Sequence, residues 1–308
     1  MKKAFKYIIS FAVLVFVLIV FWLNPDIKIT SSILSPVLVD TETYYRLADN
    51  KTGEELEITL YEIIKDHKVL SYREVWDALR VLDEDPENQD NVITIFARQS
   101  IPKDDGSGRS EWNRWNREHV WPASKGFPRG TPAENSAAYT DLFNLYACIA
   151  RVNMHKSNYD LDNCDKKYDV HYNPPFDVPS TLRVRVTSGN RAFEPPDEVK
   201  GKIARAMFYM ALRYRGEDGE PNLVLVDTIP TQTVSSDYQW YGEFGKLSTF
   251  IEWHLTYPPS EREIHRNNLI YSNYQHNRNP FVDNPHWVTN IWRIDGDTYI
   301  AFLSSISN

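Results

Sequence analysis

Cysteine is nearly absent from this chain: 308 residues contain two, Cys148 and Cys164. That excludes a disulfide-dense scaffold, and the spacing excludes the Cys-x-x-Cys pairs that hold structural zinc. The alternation Cys148, His155, Cys164, His171 invites a zinc reading but lacks that short spacing. In an oxidising compartment the two thiols would either close one modest loop or stay apart, and the sequence leaves both open. Excess positive charge is also missing. The net charge of −8 rules out a protein that coats nucleic acid by bulk attraction. It leaves room for a local basic groove: between Arg183 and Arg215 the balance is eight Lys/Arg to three Asp/Glu. Internal repeats and low-complexity tracts are absent, and the 13% aromatic content argues against global disorder.

Long apolar runs are lacking, with one exception at the start, long for a signal peptide and slightly short for a membrane span. Lys2, Lys3 and Lys6 precede an apolar run from Tyr7 to Leu23, broken by Ser10. Positive charge ahead of such a run directs export and keeps those lysines cytoplasmic. No Ala-x-Ala cleavage site follows, which favours a retained membrane anchor over a cleaved signal peptide. Residues 1–24 are thus the targeting segment, 25–42 a Pro/Ser/Thr-bearing linker, and 43–303 the folded domain.

Within the domain, Thr52/Glu55, Ser71/Glu74 and Ser260/Glu263 have capping-box spacing ahead of amphipathic runs, and each predicts a helix start. Ile203, Met207, Met210 and Tyr214 sit at helical spacing and predict a helix over 196–214 with one core face; a further helix is expected over 244–255. Val92 to Ala97, Val120-Trp121 and Leu142 to Tyr146 read as strands, and Ala147 to Tyr159 as a helix. Pro102 to Asn116 and 123–138 read as loops, and 287–303 as short strands. Asp83, Asp85, Asn88 and Asp90 resemble a calcium loop but lack its central Gly and closing Glu, so a solvated turn is expected.

The chemistry concentrates in Asn116-Arg117-Glu118-His119-Val120-Trp121-Pro122, with Ser157-Asn158-Tyr159 downstream. Phosphodiester hydrolysis needs a base near neutral pH and stabilisation of charge on the leaving oxygen. Histidine suits the first role, and a hard divalent cation on Glu and Asn oxygens suits the second. His119 is therefore the candidate base, with Glu118 and Asn158 the candidate metal ligands. Neighbours on a regular strand point to opposite faces, so convergence of Glu118 and His119 calls for an irregular backbone or a site at the strand end. Candidate phosphate contacts are Arg117, Arg129, Arg151, Lys200 and Arg205.

The longer string is more specific than the dipeptide. Together with Thr140-Asp141-Leu142, Arg151-Val152-Asn153, Phe193 to Asp197, Lys200 to Met210 and Asn277 to Asp283, it resembles the endonuclease I family of the ββα-metal (His-Me finger) nucleases. The resemblance spans about residues 43–290. It implies an α+β fold of helices and short antiparallel strands around a ββα-metal core, with His119 on the first strand and Asn158 on the helix. It implies one Mg2+, for which Mn2+ or Ca2+ can substitute in binding. It implies cleavage of DNA, and often RNA, with little sequence preference, leaving 5′-phosphates. The chain departs from the family where Phe143 replaces a usual His and Ala147 a usual Pro. The alternative reading is a catalytically impaired homologue that retains nucleic acid at the membrane. No protein partner is predicted.

Overall fold

The computed structural model describes residues 40–106, 114–127, 136–164, 168–169, 183–187, 190–227 and 242–292, all within the unit Val39–Asn308. The N-terminal run, Arg129, His171 and the tail beyond Trp292 lie outside the described residues. Among the described residues, no helix is long and apolar enough to cross a membrane.

A short helix α1 (Thr41–Tyr45) leads into α2 (Gly53–Ile64) and α3 (Glu74–Leu82). The Ser71/Glu74 box forms as the spacing predicts: the Ser71 N–H donates to Glu74 Oε2 at 2.7 Å and the Glu74 N–H to Ser71 Oγ at 3.3 Å. Thr52, by contrast, makes no side-chain cap. Three strands follow as an antiparallel sheet: β1 (Glu84–Asp85), β2 (Asn88–Ile93) and β3 (Ser100–Pro102). The solvated turn expected at 83–90 is found only in part: 86–90 are exposed, with a turn at Pro86-Glu87, but Asp83 and Asp85 are buried. Asp83 is buried, with Oδ2 accepting the Ala147 N–H at 2.7 Å and Oδ1 facing Arg266 Nε at 3.3 Å.

The ββα unit comes next. β4 (Trp115–His119) pairs antiparallel with β5 (Leu145–Ile149), and α4 (Ala150–Lys156) starts at the next residue and packs on both strands. The strands and the helix thus lie a few residues from where periodicity put them. Every residue of β5 is buried, so no alternation marks it and its apolar run reads equally well as helix. Asn144 closes the hairpin: its Oδ1 accepts the Trp121 N–H at 2.7 Å and its Nδ2 donates to Trp121 O at 3.1 Å.

β6 (Asp160–Leu161), β7 (Tyr168–Asp169), β8 (Arg183–Thr187) and β9 (Asn190–Glu194) form a sheet in the order β6-β9-β8-β7, in which the β6/β9 pair is parallel. Helix α5 (Asp197–Arg213) then runs through the middle of the domain. It was expected to bury one face; instead nearly all of it is buried, Lys200, Arg205 and Arg213 included. Gly201 shows how closely it is approached: a Cβ there would meet Tyr257 O at 2.1 Å. A parallel pair, β10 (Val224–Val226) and β11 (Glu243–Gly245), precedes α6 (Leu247–Thr256) and α7 (Glu261–Leu269). A π-helical turn follows over Ile270–Tyr274, then α8 (Pro280–Asp283) and α9 (Trp287–Ile291). The strand expected at 287–292 is thus a helix.

α5 packs on α6, α2 and α8 around a core that includes Trp115, Trp121, Tyr209, Phe208 and Trp253. The fold is α+β, with mixed helices and short, mainly antiparallel strands.

Candidate active site

His119 occupies the last paired position of β4, opposite Leu145, and Glu118 stands opposite Tyr146. The register is unbroken through both, so no irregularity brings the side chains to one face. Their neighbours differ accordingly. The imidazole packs among Tyr72, Phe127 and Tyr139, while the Glu118 carboxylate meets Lys156 of α4. What joins them is the strand end: Lys156 Nζ lies 2.9 Å from Glu118 Oε1, 3.1 Å from the His119 carbonyl and 2.8 Å from the Val120 carbonyl.

The imidazole is held in one tautomer. His119 Nε2 lies 2.8 Å from the Tyr139 carbonyl oxygen. A carbonyl can only accept, so Nε2 carries the proton and Nδ1 keeps its lone pair. Burial pushes the imidazole down to about 4, and the Lys156 and Arg117 charges add to that against the Tyr139 bond. The ring is neutral at pH 7, with an acceptor nitrogen ready for a proton.

Two residues beyond Tyr139 stands Asp141. This fully buried carboxylate accepts the Phe143 N–H (2.9 Å) and Gln275 Nε2 (3.2 Å) at Oδ1, and the hydroxyls of Tyr209 (2.9 Å) and Tyr214 (2.6 Å) at Oδ2. His67 Nε2 stands 3.8 Å from Oδ2, and burial holds that imidazole below its usual range. The motif Thr140-Asp141-Leu142 carries no sign of this role, since the distant partners come from three separate stretches: His67, Tyr209 with Tyr214, and Gln275.

Glu118 is buried, and burial pushes its carboxyl up while Lys156 pulls it back. The Lys156 ammonium lies 2.9 Å away, and beyond this ion pair Oε1 has no hydrogen-bond donor among the described residues. A buried carboxylate oxygen without a donor is what a hard cation needs. The amide beside it is not Asn158. That residue is exposed in the turn after α4, not on the helix. Asn153, on α4, donates from Nδ2 to Asn116 Oδ1 (2.9 Å) and to the Arg117 carbonyl (3.3 Å), directly before Glu118. Those acceptors fix the amide's orientation and leave Oδ1 without a donor among the described residues. The motif Arg151-Val152-Asn153 contained this residue; spacing alone could not choose between the two asparagines.

The basic candidates divide. The Arg117 guanidinium lies 3.3 Å from the Tyr72 ring centroid and 4.5 Å from that of Trp76, beside the site. Arg151 sits in the first turn of α4, half-buried. Lys200 and Arg205 do not face a substrate. Lys200 pairs with Glu194 (2.9 Å) and Asp197 (2.7 Å), and Arg205 makes a two-pronged pair with Glu263 at 2.6 Å in each arm. Their charges are spent inside the fold. Cys148 and Cys164 are buried and not joined in a disulfide, and no His/Cys/Asp/Glu metal cluster exists among the described residues.

The departures from the family pattern fall in packed positions. Phe143 packs on Tyr209 with ring centroids 4.5 Å apart. Ala147 supplies the N–H that Asp83 accepts, which a proline could not.

A family model for endonuclease I matches residues 52–286. The chain belongs to the endonuclease I family. Membership makes the protein an endonuclease. It is 42% identical over 253 residues to the extracellular ribonuclease of Bacillus subtilis (strain 168), covering 82% of this chain and 79% of the relative. Against the extracellular ribonuclease of Bacillus amyloliquefaciens it is 41% identical over 263 residues, covering 85% and 82%. Endonuclease-1 of Buchnera aphidicola subsp. Baizongia pistaciae is 27% identical over 204 residues, covering 60% and 70%. The α+β architecture and the β4–β5–α4 unit agree with this endonuclease I assignment.

Proposed function

We propose that this endonuclease I family protein is a metal-dependent, sequence-tolerant endonuclease of the cell exterior that hydrolyses RNA and DNA. One observation carries the reading: the Tyr139 carbonyl fixes the His119 proton on Nε2 and leaves Nδ1 as a base. His119 Nδ1 accepts the proton of the attacking water, and its depressed pKa keeps that nitrogen free at pH 7. The Tyr139 carbonyl stops the ring turning. Glu118 and the Asn153 amide oxygen are hard oxygen donors that fit Mg2+. When bound there, the cation stabilises negative charge on the phosphate and the leaving oxygen. Lys156 holds Glu118 in place and offsets its charge. Nothing in this arrangement uses a ribose 2′-hydroxyl, so RNA and DNA are both substrates. Similarity to two proteins named extracellular ribonucleases, and the basic-then-apolar N-terminus, support export.

The test is digestion of plasmid DNA and of RNA by the purified protein with Mg2+ or with EDTA, beside His119→Ala. Cutting that needs metal and His119, with 5′-phosphate ends, is expected. Intact substrates at every Mg2+ concentration reject the proposal. Nucleic-acid binding that survives in wild type and His119→Ala alike, without cutting, favours the binding-module alternative raised by Phe143.

A further inference from the structure

With Lys200 and Arg205 consumed internally, the cations left for substrate on this side of the fold are others. The side chains of Lys202 of α5 and of Arg98, in the turn after β2, make no hydrogen bond or ion pair among the described residues, and both residues are partly exposed. Lys202 Nζ stands 4.5 Å from the Tyr146 ring centroid, and the Arg266 guanidinium 4.2 Å from the same ring. Arg262 is partly exposed beside them and donates to the Asp83 (3.1 Å) and Glu84 (2.7 Å) carbonyls. Four cations therefore gather around one interior carboxylate, Asp83, which already faces Arg266 and the Ala147 N–H. Neighbouring acids do not restore the balance. Glu84 pairs with Lys103, Glu263 with Arg205, and Glu198 is exposed.

The backbone at Arg98 is an outlier, with φ at 55°, in the left-handed region that a non-glycine residue adopts at a cost. The location matters as much. Tyr146 is the cross-strand partner of Glu118, and opposed residues of an antiparallel pair share a face with Cβ atoms about 5 Å apart. The cationic group thus stands over the same face of the hairpin as the proposed metal carboxylate. Burial brings the Lys202 ammonium down to about 7, and the repulsion of Arg266, Arg98 and Arg262 adds to it against the attraction of Asp83.

We propose that Lys202 and Arg98, with Arg262 beside them, form a phosphate subsite that grips a backbone phosphodiester of the polynucleotide away from the bond being cut. The subsite rests on the nuclease reading for its ligand, and it supplies affinity rather than sequence readout.

Two arms test it. In the His119→Ala full-length protein, the affinity for a twelve-nucleotide single-stranded RNA is followed by fluorescence anisotropy across a KCl series in EDTA. Lys202→Gln and Arg98→Gln should each weaken binding about tenfold and lower the slope of log K against log salt by about 0.7. Unchanged affinity and slope in both variants overturn the subsite. In the unsubstituted protein with EDTA, an amine-acylating reagent at pH 8 should modify Lys202, and the same RNA should block it. Equal modification with and without RNA overturns the proposal, as does protection by inorganic phosphate but not by RNA, which would mark a free-anion site. If Lys202 is protected but the protein cuts neither RNA nor DNA with Mg2+, the subsite stands and the nuclease reading falls. If cutting occurs and both arms are flat, the subsite falls alone.

Discussion

Replacing Lys156 by methionine keeps most of the side-chain volume and removes one charge. The ammonium lies 2.9 Å from Glu118 Oε1, with both side chains almost fully buried. At an effective dielectric near 20 the gross attraction over that distance is about 6 kcal/mol, and breaking a buried pair costs roughly 3–5 kcal/mol net. For a domain of this size that is a drop of roughly 6–20 °C in Tm. The cost arises because Glu118 is left charged and unneutralised, so it should depend on what else neutralises it. In EDTA, Lys156→Met should show the full loss. With Mg2+ at a hundredfold over its Kd, binding should return about 2.7 kcal/mol. In a Glu118→Gln background the same substitution should cost at least about 1.5 kcal/mol less, because neighbours in one ion pair couple on that scale. The assay is urea unfolding of the four proteins of the cycle, with and without Mg2+. Equal costs in the wild-type and Glu118→Gln backgrounds, within about 0.5 kcal/mol, would refute the reasoning and reduce Lys156 to a donor to the His119 and Val120 carbonyls.

Other expectations follow from the same geometry. Asn153→Ala should weaken Mn2+ binding at least tenfold by calorimetry and Asn158→Ala should not; the reverse order would return the ligand role to the exposed turn. His254 is buried, and burial pushes its imidazole down to about 4. A group depressed in the folded state binds more protons when unfolded between about 4 and the unfolded value near 6.5. Its contribution is thus complete above pH 6.5 and is lost as pH falls toward 4, by about 3 kcal/mol. Urea midpoints measured from pH 7 to 4 should show this loss, and His254→Gln should flatten it. Ala147→Pro, which restores the family's usual residue, should destabilise the protein by about 1–3 kcal/mol, because Asp83 Oδ2 loses its N–H partner; a neutral or stabilising result on thermal unfolding would contradict the role given to that bond.

What sequence could show here was local. The Ser71/Glu74 box predicts a reciprocal cap, and two hydrogen bonds make it. The helix over 197–213 declares itself through Ile203, Met207 and Met210, and the Glu118-His119 motif falls at the end of β4. What it could not show was set by distant partners. Apolar β5 is buried on both faces, so its period is silent. Asp83 looks like a surface acid until Arg266 of α7 reaches it. Lys200 and Arg205 look like free charges because their carboxylates, Glu194 and Glu263, belong to other elements. Choosing Asn153 over Asn158 required knowing that α4 stops at Lys156 and which of its sides meets β4.

The carboxylate of Asp141 has a consequence for the order in which the fold is completed. Its clamp needs hydroxyls from α5 and the residue just after it, and the amide of Gln275, while Arg266 grips the carbonyls of Leu142 and Leu145 from far along the chain. A growing polypeptide that has emerged past the histidine motif but not past residue 275 lacks the Gln275 donor to this buried carboxylate, and one not past residue 266 lacks the Arg266 grip as well. Unmet, a charge so deep in the interior carries the full penalty of lost hydration. The stretch directly after the histidine motif is therefore completed from the C-terminal third of the chain, late in synthesis.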